Sequence, residues 1–292
     1  MRRRRFLMVA GAALLARPGL SEPVRWSGLA MGAEVSVTLE GPRSRAEAAI
    51  GEVKTIVERM ERRFSLYDPG SELSRLNRDG DLSAPSEEML ELLRLCARVH
   101  RMTEGRFDPT VQPLWRALAT GGDVEEAKAL VGWDRVRIDN SVRLTPGQAL
   151  TLNGIAQGYA SDAVREALAR RGFHRVLVNM GEYAALGGGW TVGVEDPTLG
   201  VFDALALNDR AVATSSPAAL RIGGADHVLD PLGYGASNWS TVSVQAASAA
   251  LADGLSTGLC LCETEAAVRR AVGRLGATVV LVDRSGRVIH VG

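Results

Sequence analysis

Cysteine is scarce: three in 292 residues cannot build a disulfide framework. Cys96, Cys260 and Cys262 each lie in an apolar run. The C-x-C at 260–262 has no second Cys or His pair at metal-site spacing, so all three thiols are expected to pack in the core. Neither G-x-x-x-x-G-K-S/T nor a strand followed by G-x-G-x-x-G is present, which excludes a P-loop and a Rossmann dinucleotide site. Basic excess is missing too. Five of the 34 basic residues and one of the 34 acidic residues fall in the first 22, leaving 29 against 33, a net of −4. A slightly acidic body has no electrostatic footprint for nucleic acid. No short-period repeat, low-complexity segment or linker divides the chain.

What is present is the profile of a soluble globular protein, 46% apolar and 23% charged. The length suits one large domain or two intimately packed halves. The 32 glycines imply many turns and close backbone approaches. Residues 1–22 read as an export signal outside the fold. Arg2, Arg3, Arg4 and Arg5 are its basic start, and 6–15 is an apolar stretch too short to span a bilayer. Arg3-Arg4-Arg5-Phe6-Leu7 is similar to the twin-arginine core, a route for already folded proteins. An exported, periplasmic protein is expected, membrane-associated if this segment is kept as an anchor. The fold then occupies 23–292.

Residues 34–39 alternate as a half-buried strand, directly after Met31-Gly32. Ser44-Arg45-Ala46-Glu47 reads as a capping box, and Ala46, Ile50, Val53, Val57, Met60 and Phe64 form the apolar stripe of a long helix. A polar loop is expected over 65–77. Ser86 caps a helix carrying Met89, Leu92, Leu93, Cys96 and Val99, ended by Gly105. Pro109 and Pro113 predict an extended segment over 106–114. Asp123 opens a short helix ending at Gly132, and 136–144 is a hairpin turning at Asp139-Asn140. Strands are predicted over 175–180, 190–195, 205–214, 221–229 and 241–245. Helices over 247–261 and 265–275 and a hairpin of 278–283 with 287–291 complete the chain. Strands and helices mix without strict alternation, so the fold class is α+β, not doubly wound α/β.

The stretch 151–164 organises the rest. Residues 149–152 read as a strand end, Asn153-Gly154 as a turn, and the following residues as an amphipathic helix. Ile155, Tyr159, Ala163 and Ala167 recur at helical spacing beside Ala156, Ala160, Val164 and Leu168, until Gly172. A strand feeding a helix N-terminus offers N–H groups and a dipole to phosphate, and Gly154 and Gly158 let a ligand approach the main chain. An ordinary strand–turn–helix packed through small residues has the same pattern. Asp253 and Thr257, four apart in a helix of small and apolar residues, share a face, with Ser256 alongside. One carboxylate, hydroxyls and a nearby carbonyl suit a hard cation such as Mg²⁺, which also binds phosphates. Alternatively, Asp253 serves backbone donors and Thr257 bonds back to a carbonyl. Among the four histidines, His100 falls in a helix and His174 and His290 in or beside strands. His227, entering a strand that runs into a Gly-rich loop, is the best acid/base candidate.

Together these segments resemble the FAD:protein FMN transferases, the ApbE family. Met31-Gly32-Ala33 resembles the family's Met-Gly-Thr. Ser65-Leu66-Tyr67 and Ser71-Glu72-Leu73-Ser74-Arg75-Leu76-Asn77 are close to its Ser-x-Tyr and Ser-Glu-Leu-Ser-x-Leu-Asn. Gly105-Arg106-Phe107-Asp108-Pro109-Thr110-Val111 is similar to Gly-x-Phe-Asp-Pro-Thr-Val, and 153–162 to Gly-Gly-Ile-Ala-Lys-Gly-Tyr-Ala-x-Asp. The segments 190–197, 213–215, 227–231 and 252–257 resemble the remaining blocks, eight in order.

The resemblance implies a single domain related to the T-fold, with mixed or antiparallel sheets, packed helices and two intertwined halves. It implies FAD held by Met31, Tyr67, Arg106, Phe107, Asp108, Thr151, Gln157 and Leu229. Mg²⁺ would be bound by Asp253 and Thr257, with help from Ser256 and the Gly154 carbonyl. The implied reaction transfers FMN from FAD to a threonine hydroxyl of a client, a membrane or periplasmic redox protein, and releases AMP, with His227 receiving the threonine proton. FAD pyrophosphatase activity and FAD binding without turnover are the other readings. Several positions depart from the family pattern. Gln157 stands for Lys or Glu, Thr151 for Asp, and Met180-Gly181-Glu182-Tyr183 for Leu-Gly-Gly-Asp. Ser215-Ser216 stands for Ser-Gly, and Leu232-Gly233-Tyr234-Gly235 for a Thr-Gly loop.

Overall fold

A computed structural model describes residues 23–233, 235–273 and 275–292. The twin-arginine-like segment and Tyr234 lie outside them. Strands β1 (Val24–Ala30) and β2 (Ala33–Leu39) open the fold as a hairpin. Its two-residue link is Met31 and Gly32, both with positive φ, 49° and 80°. Such a link favours Asn, Asp or Gly first, so Met31 carries ~1–2 kcal/mol of backbone strain. Helix α1 (Arg43–Phe64) buries Ala46, Ala49, Val53, Ile56, Val57, Met60 and Phe64 along one stripe. There follow α2 (Glu72–Asp79), β3 (Asp81–Leu82), α3 (Glu87–Met102), α4 (Gln112–Thr120), α5 (Val124–Ala129), β4 (Arg137–Ile138) and β5 (Val142–Arg143). Next come α6 (Ala156–Arg170), β6 (Val176–Asn179), β7 (Tyr183–Leu186), β8 (Trp190–Asp196), β9 (Gly200–Leu207) and β10 (Ala211–Ser215). The chain closes with β11 (Arg221–Ile222), β12 (Ala225–Asp226), β13 (Trp239–Ala246), α7 (Ala249–Leu259), α8 (Glu265–Val272), β14 (Thr278–Asp283) and β15 (Val288–Val291).

One eight-stranded sheet, ordered β1-β2-β6-β7-β10-β13-β14-β15, is antiparallel throughout. This is the α+β architecture expected from the sequence. Alternation along each strand gives the sheet two apolar faces. Val176, Val178, Ala184, Ala211 and Ala213 point to the main core, where α6 covers β6 and β7 and α7 covers β10 and β13. Leu177, Ala185 and Val212 point the other way, onto Trp190, Val192 and Leu207 of the β8–β9 hairpin. Helix α1 flanks α6, and α3 flanks α7. Helices α6 and α7 touch backbone to backbone. A Cβ on Gly158 would fall 2.3 Å from the Ala249 carbonyl oxygen, so only glycine fits there. Among the described residues no helix is long and apolar enough to cross a membrane.

The structure redraws several elements. Residues 149–152 form no strand; this extended run is gripped instead by side chain and loop. Asn77 accepts from the Leu150 N–H (2.7 Å) and donates to its carbonyl (2.8 Å), and the Thr151 N–H donates to the Pro109 carbonyl. The polar segment 65–77 is a loop only to Ser71, whose hydroxyl caps α2 by accepting from the Ser74 N–H. The segment 106–114 is not extended. Pro109 begins a 3₁₀ turn and Pro113 sits in the first turn of α4, positions where a missing N–H costs nothing. Helix α1 starts at Arg43 after Pro42, so Ser44 lies inside its first turn and caps nothing. The predicted strand 205–214 is the end of β9 and most of β10, separated by a turn at Asp209 (φ 52°). The predicted strand 221–229 is the short β11–β12 hairpin, and His227 to Leu229 follow it as irregular chain.

Candidate active site

The site lies where α6 and α7 meet over the centre of the sheet. Each helix caps the other. Asp162, in the middle of α6, accepts from the Ala249 and Ala250 N–H groups (both 2.9 Å), the first two of α7. The Ser248 hydroxyl takes the third, from Leu251, at 3.1 Å. In return Asp253 of α7 accepts the Gly158 N–H in the first turn of α6 at 3.0 Å. Reciprocal capping satisfies donors that would otherwise be orphaned in the core and fixes the helices in register.

That register sets the candidate metal donors. Thr257 Oγ1 lies 3.5 Å from the Gly154 carbonyl oxygen, one turn beyond Asp253 on the same face. Ser256 is fully buried behind them. Its hydroxyl donates to the Asp253 carbonyl (3.0 Å) and pairs with the Ser215 hydroxyl (2.8 Å), which also reaches Thr257 Oγ1 (3.4 Å). Ser256 therefore braces Thr257 through Ser215. Burial raises the Asp253 carboxyl to about 7, although the Gly158 N–H pulls the other way. Glu182, also buried, accepts the Thr214 N–H at 3.1 Å. Burial, then the charge on Asp253, pushes it well above the usual carboxylate range. No positive side chain is among the groups acting on either.

Among the described residues no positive side chain offsets these two buried carboxyl groups, whose ionised forms a divalent ion would stabilise. Among the described residues no three His, Cys, Asp or Glu cluster at metal-binding spacing. The donors are instead one carboxylate, a hydroxyl and a carbonyl. That hard, sparse set fits Mg²⁺ held jointly with substrate phosphates.

His227 is placed by the main chain. Its N–H donates to the carbonyls of Pro217 and Leu220, and its Nδ1 lies 2.9 Å from the Pro217 oxygen. A carbonyl can only accept, so Nδ1 carries the proton and Nε2 the lone pair. Burial lowers its pKa and keeps the ring neutral. Ser215, which touches Thr257, and Pro217, which fixes His227, are two residues apart.

The expected flavin contacts have the following partners. Gln157 Nε2 donates to the Met31 carbonyl at 3.3 Å. Arg106 Nε donates to the Leu261 carbonyl at 3.0 Å, tying the 105–108 segment to the end of α7. The Phe107 and Asp108 side chains are buried and committed to the fold. Asp108 accepts from the Thr110 N–H and hydroxyl and from the Trp133 N–H. Leu229 is half-buried against the small α4–α5 cluster. Tyr67 is 84% exposed. Asp162, Ser215 and Glu182 are the residues whose part in the site sequence patterning did not disclose. Asp162 and Ser215 stand in the quoted blocks, and Glu182 in a segment that departs from the family pattern.

Residues 31–281 match the model of the ApbE family. A relative from Haemophilus influenzae, named FAD:protein FMN transferase, is 29% identical over 244 residues, 71% of this chain and 70% of its own length. One of the same name from Vibrio cholerae is 27% identical over 290 residues, 86% of each. Among solved structures, the ApbE protein of Thermotoga maritima superposes with a TM-score of 0.83 at 25% identity, covering 92% of this chain and 97% of its own. The apo form of the Pseudomonas stutzeri flavinyl transferase ApbE gives 0.80 at 25%, covering 93% and 96%. With the family model matched over this span and the fold in agreement, the chain is a member of the ApbE family.

Proposed function

We propose that this protein transfers FMN from FAD to a threonine hydroxyl of a client protein, in a Mg²⁺-dependent reaction that releases AMP. The observation that carries the reading is the Asp253–Thr257–Gly154 oxygen set, linked by the one segment Ser215–Pro217 to His227, which is held as the Nδ1–H tautomer. Asp253, Thr257 and the Gly154 carbonyl would hold the metal. When bound, Mg²⁺ supplies charge neutralisation to the pyrophosphate and leaving phosphate. The threonine oxygen attacks the phosphorus on the riboflavin side. The bridging P–O bond breaks, AMP leaves with that electron pair, and the threonine proton passes to Nε2 of His227. Phosphoryl transfer asks mainly for positioning and charge balance, which these residues provide. Serving an exported client, a membrane or periplasmic redox protein, is part of the same proposal and rests on the twin-arginine-like start.

The test is incubation of the mature protein with FAD, Mg²⁺ and a client domain, read by in-gel flavin fluorescence and peptide mass spectrometry. FMN on a threonine, lost in Asp253→Ala, is the expected result. FMN and AMP accumulating free with no labelled client would replace transfer by pyrophosphatase activity. Intact FAD with no product would leave a flavin-binding protein.

A further inference from the structure

Met31 is held in its left-handed conformation (φ 49°) from both sides. Its N–H donates to Glu61 Oε1 at 3.0 Å and its carbonyl accepts from Gln157 Nε2 at 3.3 Å. Gln157 is itself wedged. It lies against Gly181, where φ is +111° and a Cβ would fall 2.5 Å from the Gln157 amide carbon. Glu61 stands in the last turn of α1, where the helix dipole disfavours a negative charge. Among the described residues its carboxylate forms no ion pair; its hydrogen bond is the one to Met31. A half-buried carboxylate at the unfavourable end of a helix, spent on one backbone N–H of a strained residue, is costly for stability alone.

We propose that Glu61 is a positioning residue for the flavin donor. Its carboxylate fixes the Met31–Gly32 turn in the conformation that receives FAD, with Gln157 as the opposing grip. The inference rests on the reading above that Met31 contacts FAD. Without Glu61 the turn relaxes, and the ligand must restore the strained conformation as it binds, which weakens affinity without touching the reacting atoms.

The experiment is equilibrium dialysis of FAD against the mature wild-type protein, Glu61→Ala and Glu61→Gln, with thermal midpoints recorded alongside. Glu61→Ala is expected to weaken FAD binding about tenfold, on the order of one hydrogen bond to a charged group. Glu61→Gln, whose amide oxygen can still accept from Met31, should recover most of the affinity. With an acceptor present, the same loss should raise KM for FAD and leave kcat unchanged. Wild-type affinity in Glu61→Ala, or Glu61→Gln no better than Glu61→Ala, would overturn the positioning role alone. A wild-type protein that binds no FAD would overturn the underlying reading and this inference together.

Discussion

Removing the Asp162 carboxylate should unfold this protein far more readily than removing an ordinary helix cap. Asp162 is 8% exposed and accepts two N–H groups at 2.9 Å from the start of α7, and Arg165 sits 3.1 Å from the same carboxylate. Asp162→Ala strands two donors in the core and leaves the half-buried Arg165 guanidinium with the Ala247 carbonyl alone. Hydrogen bonds to a charged group are worth ~1.5–3 kcal/mol each, so the two lost bonds make a total of about 4–5 kcal/mol the expected loss. The neighbouring cap offers an internal reference, since Ser248→Ala removes one neutral bond to the same helix, about 1 kcal/mol. Urea denaturation followed by circular dichroism would compare the two, with Asp162→Asn between them because one oxygen can still accept. At ~2–4 °C per kcal/mol for a chain of this size, the thermal midpoint of Asp162→Ala should drop by about 10 °C or more. A loss no greater than that of Ser248→Ala would refute the idea that α6 and α7 depend on each other's caps.

Further expectations follow from the same site. Burial raises Asp253 from 3.8 to about 7, so between those values the folded protein keeps a proton that the unfolded chain has released. That stabilisation is complete below about pH 4 and lost as the pH rises through 7. Without metal the thermal midpoint should therefore fall between about pH 5 and pH 8, Asp253→Asn should flatten the slope, and added Mg²⁺ should raise the midpoint more at the higher pH. His227, its pKa lowered by burial, should place the acid limb of the pH–rate profile below 6.5. His227→Ala should cut kcat by about 10²–10⁴ while FAD affinity holds, and an unshifted rate would remove it from proton transfer. Burial raises all three thiols, Cys262 to about 11, so a thiol reagent near pH 8 should label the native protein negligibly and the urea-unfolded protein fully.

Local chemistry was the readable part of the sequence. Ser86 and Asp123 cap the helices they are expected to cap, the α3 stripe is buried in full, and the α1 stripe is buried except at Ile50, with Ala49 and Ile56 buried in addition. Asp253 and Thr257 share a face because four residues nearly complete a turn. Where two local rules compete, pattern alone misleads. Proline breaks a helix in its interior and favours its first turn, and Pro109 and Pro113 do the second. Strand β1 hides because a glycine occupies its half-buried face, and α2 because it is short and polar. The deeper gaps are tertiary. Asp162 meets α7 across 87 residues and Asn77 meets Leu150 across 73, and no periodicity encodes such a partner. Asp253 does serve a backbone donor, as one reading of the sequence has it, but on the other helix, and Thr257 lies at the Gly154 carbonyl.

The order of strands in the central sheet has a consequence for how the molecule comes into being. Strand β2 finds its outer neighbour β1 at once but its inner neighbour β6 only after an excursion that leaves Leu39 and returns at Val176. Further on, β10 must wait for β13, and β13 for β14. High contact order of this kind makes closure slow and postpones it until nearly all of the polypeptide has emerged. On a ribosome, Gly154 and His227 would precede Asp253 and Thr257, so half-made chains would hold only part of the proposed oxygen set.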